Sequence, residues 1–366
     1  MSDTQIVASA RGRAPVPLSI LDLAGVGAGQ TTRDALLATT ELAVAAEKLG
    51  YERFWVAEHH GMPAVASAAP PVLLAHLGAH TRTIRLGSGG VMLPNHAPLT
   101  VAEQFGTLAA LHPGRIDLGL GRAPGTDQLT SLALRRRMTD PDQDMADRLA
   151  ELRHFLRRDF PAGHPFAAIR PVPTAPVPTW LLGSSDYSAR LAAALGLPFV
   201  FAHHFAGAGG GTAAALELYR RSFRPSAELD RPYAMIGVTV LAADTAAEAE
   251  RQARAGALSM LLLRSGRLER IPTPEQAESY PYSPAEQHLL AAMGGTEVVG
   301  EPDRVAAGLR DLVDAFGVDE LILTTRVHSA EVRRRSFELI ADEFGMTSAQ
   351  PGGVAAPGRA AGVSAD

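Results

Sequence analysis

The chain has no cysteine and only one lysine, Lys48, among 366 residues. Without thiols there is no disulfide, no thiolate nucleophile and no cysteine metal site. Almost all positive charge is arginine, which we read as the bias of a GC-rich genome rather than a binding signal. No strong charge of either sign is present: the formal charge is −5 and the pI near 6.2. Nothing in that balance draws the chain to nucleic acid or to an anionic membrane. No apolar run reaches the length of a membrane span. The first fourteen residues lack the apolar stretch of a signal peptide, so a cytoplasmic location is expected. What is plentiful is core material: 46% of residues are hydrophobic, enough for one large domain or two ordinary ones.

One stretch stands out, Pro113-Gly114-Arg115-Ile116-Asp117-Leu118-Gly119-Leu120-Gly121-Arg122-Ala123-Pro124-Gly125. After a Pro-Gly turn, Ile116, Leu118 and Leu120 alternate with Asp117, Gly119 and Gly121. That alternation predicts a short strand, with glycines where a backbone or a ligand comes close. Arg122 stands at its tip, before a stiff turn. A permanent cation there suits a phosphate; it equally suits an arginine that ties down a loop.

Around this stretch the pattern repeats. Strands are predicted at 16–23, 53–57, 84–91, 115–120, 179–182, 198–202, 233–242 and 320–324. Helices are predicted at 34–49, 68–80, 98–111, 141–158, 185–195, 212–223, 244–263, 302–316 and 331–344. Short apolar strands separated by helices argue for a parallel sheet. Eight such units predict a (β/α)8 TIM barrel, with insertions after the fourth and seventh strands (126–139 and 264–300). An open doubly wound sheet is the alternative, weakened because no G-x-G-x-x-G turn follows the first strand. The expected layout is a disordered N-terminal arm over 1–15, the barrel over 16–345 and a disordered Gly/Ala/Pro-rich tail over 346–366.

In a barrel the reactive residues gather where strands end. The candidates are Asp22, Glu58 to His60, Ser88 to Gly90, Arg122, Gly183 to Ser188, His203 and His204. Gly183-Ser184-Ser185-Asp186-Tyr187-Ser188 joins a strand to a helix. It suits an anion held by amides and hydroxyls, or ordinary helix capping by Ser185. Gly87-Ser88-Gly89-Gly90 leaves room for a flat ligand or marks a bulge. The histidines suit proton transfer. A metal site would need His59, His203, His204 and Asp22 to converge, yet neighbours on a strand end point to opposite faces. Asn95 and His96 also approach the expected mouth, and Tyr280-Pro281-Tyr282 could cover it as a lid or form a rigid surface turn.

These motifs together resemble the bacterial luciferase-like flavin monooxygenases. The residues that carry the resemblance are Phe54 to His60, Gly87 to Pro94, Gly114 to Gly125 and Leu182 to Pro198. They are most similar to the single-type branch, which includes members serving aromatic polyketide and antibiotic biosynthesis. The resemblance spans about residues 16–345. It implies a barrel that binds reduced FMN (FMNH2), supplied by a separate flavin reductase. Oxygen from O2 then passes to a small organic substrate through a C4a-(hydro)peroxyflavin. By position it implies that His59 is catalytic, and that Arg122, Ser184, Ser185 and Ser188 hold the phosphate. Ser88, Gly89 and Gly90 would lie at the flavin ring, with a non-proline cis peptide at Gly89-Gly90. Ser184 stands where luciferase itself has a glutamate, a departure from the pattern. No metal, nucleic acid or membrane is implied. The resemblance also implies a homodimer through helices 68–80 and 98–111. The alternatives are an F420-dependent oxidoreductase of the same fold, a non-catalytic flavin-binding protein, and a metal-dependent hydrolase.

Overall fold

The computed structural model describes residues 6–123, 125–134, 141–170, 176–206 and 210–347. Ten strands run β1 (Leu18–Asp22), β2 (Arg53–Val56), β3 (Arg85–Ser88), β4 (Val91–Met92), β5 (Ile116–Gly121), β6 (Thr179–Gly183), β7 (Phe199–Phe201), β8 (Ala234–Ala242), β9 (Val298–Gly300) and β10 (Glu320–Thr324). Eight of them pair in parallel in the order β10-β1-β2-β3-β5-β6-β7-β8, and β8 pairs back to β10. The sheet is therefore closed, and the eight-stranded (β/α)8 barrel is the fold. The two remaining strands are short appendages, β4 on β5 and β9 on the far end of β8. They follow from the sequence in different ways. The predicted strand 84–91 is split by Gly89-Gly90, and β4 is what resumes after the break.

Register explains why these strands are apolar on both faces. Leu21 pairs with Trp55, Trp55 with Gly87, Gly119 with Trp180, and Val200 with Met235. These residues point into the barrel, where Trp55 and Trp180 meet edge to face at 5.3 Å between centroids. Their sequence neighbours Ile20, Phe54, Leu86, Leu118 and Leu181 point outward under the helices and form the larger core cluster. A strand buried on both faces has no polar side to show, so its hydrophobicity is continuous. Gly87 is part of the same fit: a side chain there would strike the Trp55 indole at 2.5 Å. That close approach belongs to the core and not to a ligand.

The N-terminal end of the barrel is filled by charge. Arg53 is fully buried, and its Nε lies 3.0 Å from Glu320 Oε1 while Nη1 lies 2.9 Å from Asp117 Oδ2. Asp117 also accepts from Arg85, and Trp55 Nε1 donates to it at 3.3 Å. Ser19 and Tyr233 donate to Glu320, the latter at 2.8 Å. Burial would raise the Asp117 carboxyl, but Arg85 and Arg53 hold it below the usual carboxylate range. The last donor of Arg53, Nη2, reaches the Ile6 carbonyl at 2.6 Å. This differs from the arm expected over 1–15: Ile6 and Ala14 are buried, and Arg13 N donates to the Phe344 carbonyl at 2.7 Å. The segment is held because it caps a buried guanidinium. Residues 1–5 of that arm and 348–366 of the expected tail lie outside the described residues.

The insertions carry more structure than their sequence suggests. Residues 264–300 hold helices Pro274–Ser279 and Pro284–Met293. Each opens on a capping box with proline in its first turn, Thr273 with Gln276 and Ser283 with Glu286. Helices this short show no hydrophobic period, yet their start signals were in the sequence. In the other insertion Asp127 caps the short helix Gln128–Ala133, and residues 135–140 lie outside the described residues.

Replacing Arg53 with Leu would leave Glu320 buried without its guanidinium. We expect the variant to lose about 3–5 kcal/mol of stability in urea unfolding, as breaking a buried ion pair does. A loss below about 1 kcal/mol would mean that the ionic floor is not what holds this end of the barrel.

Candidate active site

The C-terminal ends of the strands surround a cavity of about 380 Å³. Arg122 leaves β5, and Ser184, Ser185 and Ser188 follow β6, which pairs with β5. All four line one side of the cavity. The Arg122 guanidinium lies 4.6 Å above the Tyr187 ring. Helix Asp186–Leu195 begins at Ser185, whose side chain makes no capping hydrogen bond. Simple capping is therefore not the use of this hydroxyl. Ser188 is buried against Gly183, where any side chain would meet its hydroxyl at 2.2 Å. One guanidinium and three hydroxyls beside a helix start form an anion pole.

Next to this pole the cavity wall is backbone. The Gly89-Gly90 peptide is cis, and both glycines line the cavity. A side chain on Gly89 would strike Leu21 at 2.5 Å, and one on Gly90 would strike the Gly119 carbonyl at 2.9 Å. Ser88 does not join them. It is fully buried, donates to the Gly119 carbonyl at 2.8 Å and accepts from Gly119 N at 3.1 Å. Its hydroxyl ties β3 to β5 and does not reach the cavity.

Strand alternation sorts the Glu58-His59-His60 run. His59 faces the cavity. Its Nδ1 is 3.1 Å from the Gly125 carbonyl, and because a carbonyl only accepts, Nδ1 carries the proton. Nε2 is then a bare acceptor with no hydrogen-bond partner among the described residues. Burial lowers the pKa of His59, and the Arg326 charge lowers it further. Glu58 and His60, two positions apart, turn the other way together. His60 and His96 each place Nε2 2.8 Å from Glu58 Oε1, and Met92 N donates to Oε2 at 3.3 Å. Burial pushes the Glu58 carboxyl up, but these imidazoles more than offset it and hold it low. The ligand atoms of the three residues lie within 4.8 Å of one another, a spacing that a metal could use. As they stand they satisfy each other, at hydrogen-bond distance.

The set that a hydrolase would need does not assemble. Asp22 accepts from Arg333 at 2.8 Å and Thr39 at 2.5 Å. His203 is buried with Nδ1 2.8 Å from Thr212 Oγ1. His204 does line the cavity, with Nδ1 3.0 Å from the Gly237 carbonyl, and burial pushes its pKa down to about 4. Tyr280 and Tyr282 pack edge on at 4.7 Å, and Tyr280 bonds to Glu286 and Arg267. They brace the insertion without lining the cavity, which residues such as Leu268, Ile271, Leu290 and Met293 reach instead. Sequence reasoning also missed Arg326. It follows the apolar strand β10 much as Arg122 follows β5, so the signal that marked the one would have marked the other.

The profile of the luciferase-like monooxygenases matches residues 16–320. The chain belongs to that family. It is 45% identical to a luciferase-like monooxygenase of Escherichia coli K12, over 89% of this chain and 96% of that one. It is 39% identical to the N-acetyl-S-alkylcysteine monooxygenase of Bacillus subtilis, over 89% of this chain and 98% of that one. The crystal structure of apo-MsnO8 superposes with a TM-score of 0.83 at 38% identity, covering 91% of this chain and 99% of that one. The chain is thus an oxidoreductase of the monooxygenase type. Among the described residues no helix is long and apolar enough to cross a membrane.

His204 gives the site a pH signature. Its folded pKa of about 4 lies below the ordinary 6.5. Between those values the unfolded chain binds a proton that the native site refuses. The contribution of His204 is therefore complete above pH 6.5 and is lost as pH falls toward 4, by roughly 1.4 kcal/mol per pH unit. Urea unfolding of the wild type and of His204→Gln from pH 7 to 4.5 should show the wild type losing stability more steeply. Parallel curves would mean that His204 is hydrated.

Proposed function

We propose that this chain is the oxygenating component of a two-component monooxygenase, which takes reduced FMN from a separate flavin reductase and oxidises a small organic substrate. The observation that carries the reading is the shape of one cavity: an anion pole at Arg122, Ser184, Ser185 and Ser188, a side-chain-free wall at Gly89-Gly90, and the bare Nε2 of His59. These residues fit FMN. The pole matches a phosphate in charge and donors, and the glycine wall admits a flat ring. Bound reduced FMN supplies the electrons that activate O2. The chain supplies the rest. Arg122 and the serines bind and orient the phosphate end. The apolar lining, including Leu21, Trp55, Met92, Leu182 and Val200, excludes water. His59, neutral because it is buried, accepts a proton at Nε2 and returns it. The similarity to an N-acetyl-S-alkylcysteine monooxygenase supports a small organic substrate.

The homodimer expected from the resemblance belongs to this proposal. Helices Pro70–His80 and Pro98–Leu111 lie side by side and expose Val72 (73%) and Leu111 (63%). A dimer mass by light scattering at micromolar protein is the expected result, and a monomer mass would remove it.

Arg122→Ala should weaken FMN binding, read by quenching of flavin fluorescence. Losing a charge-assisted phosphate contact of about 1.5–3 kcal/mol predicts roughly a ten- to hundredfold loss. Unchanged affinity would take Arg122 out of the site. His59→Ala should bind FMN within about twofold of wild type, since it removes no phosphate contact. It should release hydrogen peroxide faster when the protein loaded with reduced FMN meets O2. If release matches the wild type, the proton role of His59 fails. If the wild type reacts with O2 no differently from free reduced FMN yet oxidises reduced F420, the deazaflavin alternative replaces this reading.

A further inference from the structure

Besides Arg122 the cavity is lined by Arg264 and Arg267, both exposed, by the buried Arg333, and by Arg326, which the proposed reaction does not use. Arg326 lies two residues beyond β10 and lines the wall, half-buried. Other buried arginines here are paired: Arg53 with two carboxylates, and Arg333 with Asp22. Arg326 makes no hydrogen bond and no ion pair among the described residues. The charges whose fields reach it are Glu297 and Arg264, and Glu297 lies too far to form an ion pair. A guanidinium withdrawn from bulk water without a carboxylate partner is costly, and a ligand oxyanion is what removes the cost.

Topology separates this cation from the anion pole. Around the closed sheet, β10 is four strands from β5 and three from β6. Arg326 therefore stands across the mouth from Arg122 and the serines. Its field acts on His59 and His204. Beside it the wall is flexible and apolar: Met260, Leu263, Leu290 and Met293 come from helices Ala246–Arg264 and Pro284–Met293. Methionines fit themselves to tails of varied shape.

We propose that Arg326 anchors a carboxylate on the organic substrate, whose apolar part lies against those methionines and leucines with its reacting atom toward His59. A carboxylate accepts two parallel N–H bonds from a guanidinium. The proposal rests on the assignment of the cofactor to the Arg122 end, which leaves the Arg326 end to the substrate.

Calorimetry with the full chain tests it, using octanoate, octanamide and FMN as separate probes for wild type, Arg326→Gln and Arg326→Lys. The wild type should bind octanoate about tenfold or more tighter than octanamide. In Arg326→Gln the two should differ by less than about twofold, while Arg326→Lys keeps part of the preference as a point charge. FMN affinity of Arg326→Gln should match the wild type, which also shows the variant to be folded. No preference for octanoate in the wild type, or one that survives in Arg326→Gln, overturns the proposal. So does a tenfold loss of FMN affinity in Arg326→Gln, which would make Arg326 a cofactor residue. If the wild type binds octanoate as expected but does not bind FMN, the anchor stands and the cofactor assignment fails. If it binds FMN but shows no octanoate preference, the anchor alone fails.

Discussion

Arg53 carries a permanent charge into the closed end of a barrel, and much of the molecule is arranged around satisfying it. Four elements that are distant in sequence meet there: β1 through Ser19, β5 through Asp117, β10 through Glu320 and the N-terminal segment through Ile6. No one of these residues is stable in that place alone. A buried guanidinium needs its carboxylates, and each carboxylate needs its donors. The network thereby fixes which strands adjoin at the bottom and closes that end to water. Above it Trp55 and Trp180 fill the bore, so only the opposite end remains open for a ligand.

At the open end, strand alternation divides the labour. His59 turns into the cavity, while Glu58 and His60 turn behind it and bind His96. The carboxylate is thus consumed in holding loops, and the cavity keeps a neutral imidazole with a free acceptor. Both cavity histidines are held neutral chiefly by burial. Neutral imidazoles suit a site that accepts and returns protons.

The cavity is polar at its two sides and apolar between. Arg122 and the serines stand on β5 and β6, and Arg326 stands across the mouth beyond β10. Such an arrangement offers an anionic group a cation at either side, and the exposed Arg264 and Arg267 also line the cavity. The walls between the two sides come from strand ends, from the loop at Met62 to Val65, from helix Ala246–Arg264 and from the insertion over 264–300.

Much of this was legible in the chain. Eight apolar strands spaced by helices imply a parallel sheet covered on both faces, and their number favours a barrel over an open sheet. Gly89-Gly90, Arg122 and Ser184 to Ser188 sit at strand ends, and local sequence alone brings them to the mouth. Other features depended on partners far away in sequence. Ser88 looks like a site residue until Gly119 takes its hydroxyl, and Gly87 looks like ligand space until Trp55 fills it. The arm over 6–14 is polar and small, yet it is held because Arg53 needs one more acceptor. Local pattern determined which elements form and which residues reach their ends, since periodicity and turn chemistry act over a few residues. Which polar groups are paired and which remain free for a ligand was decided only by the tertiary structure, since hydrogen bonds and charges are satisfied across the fold and not along the chain.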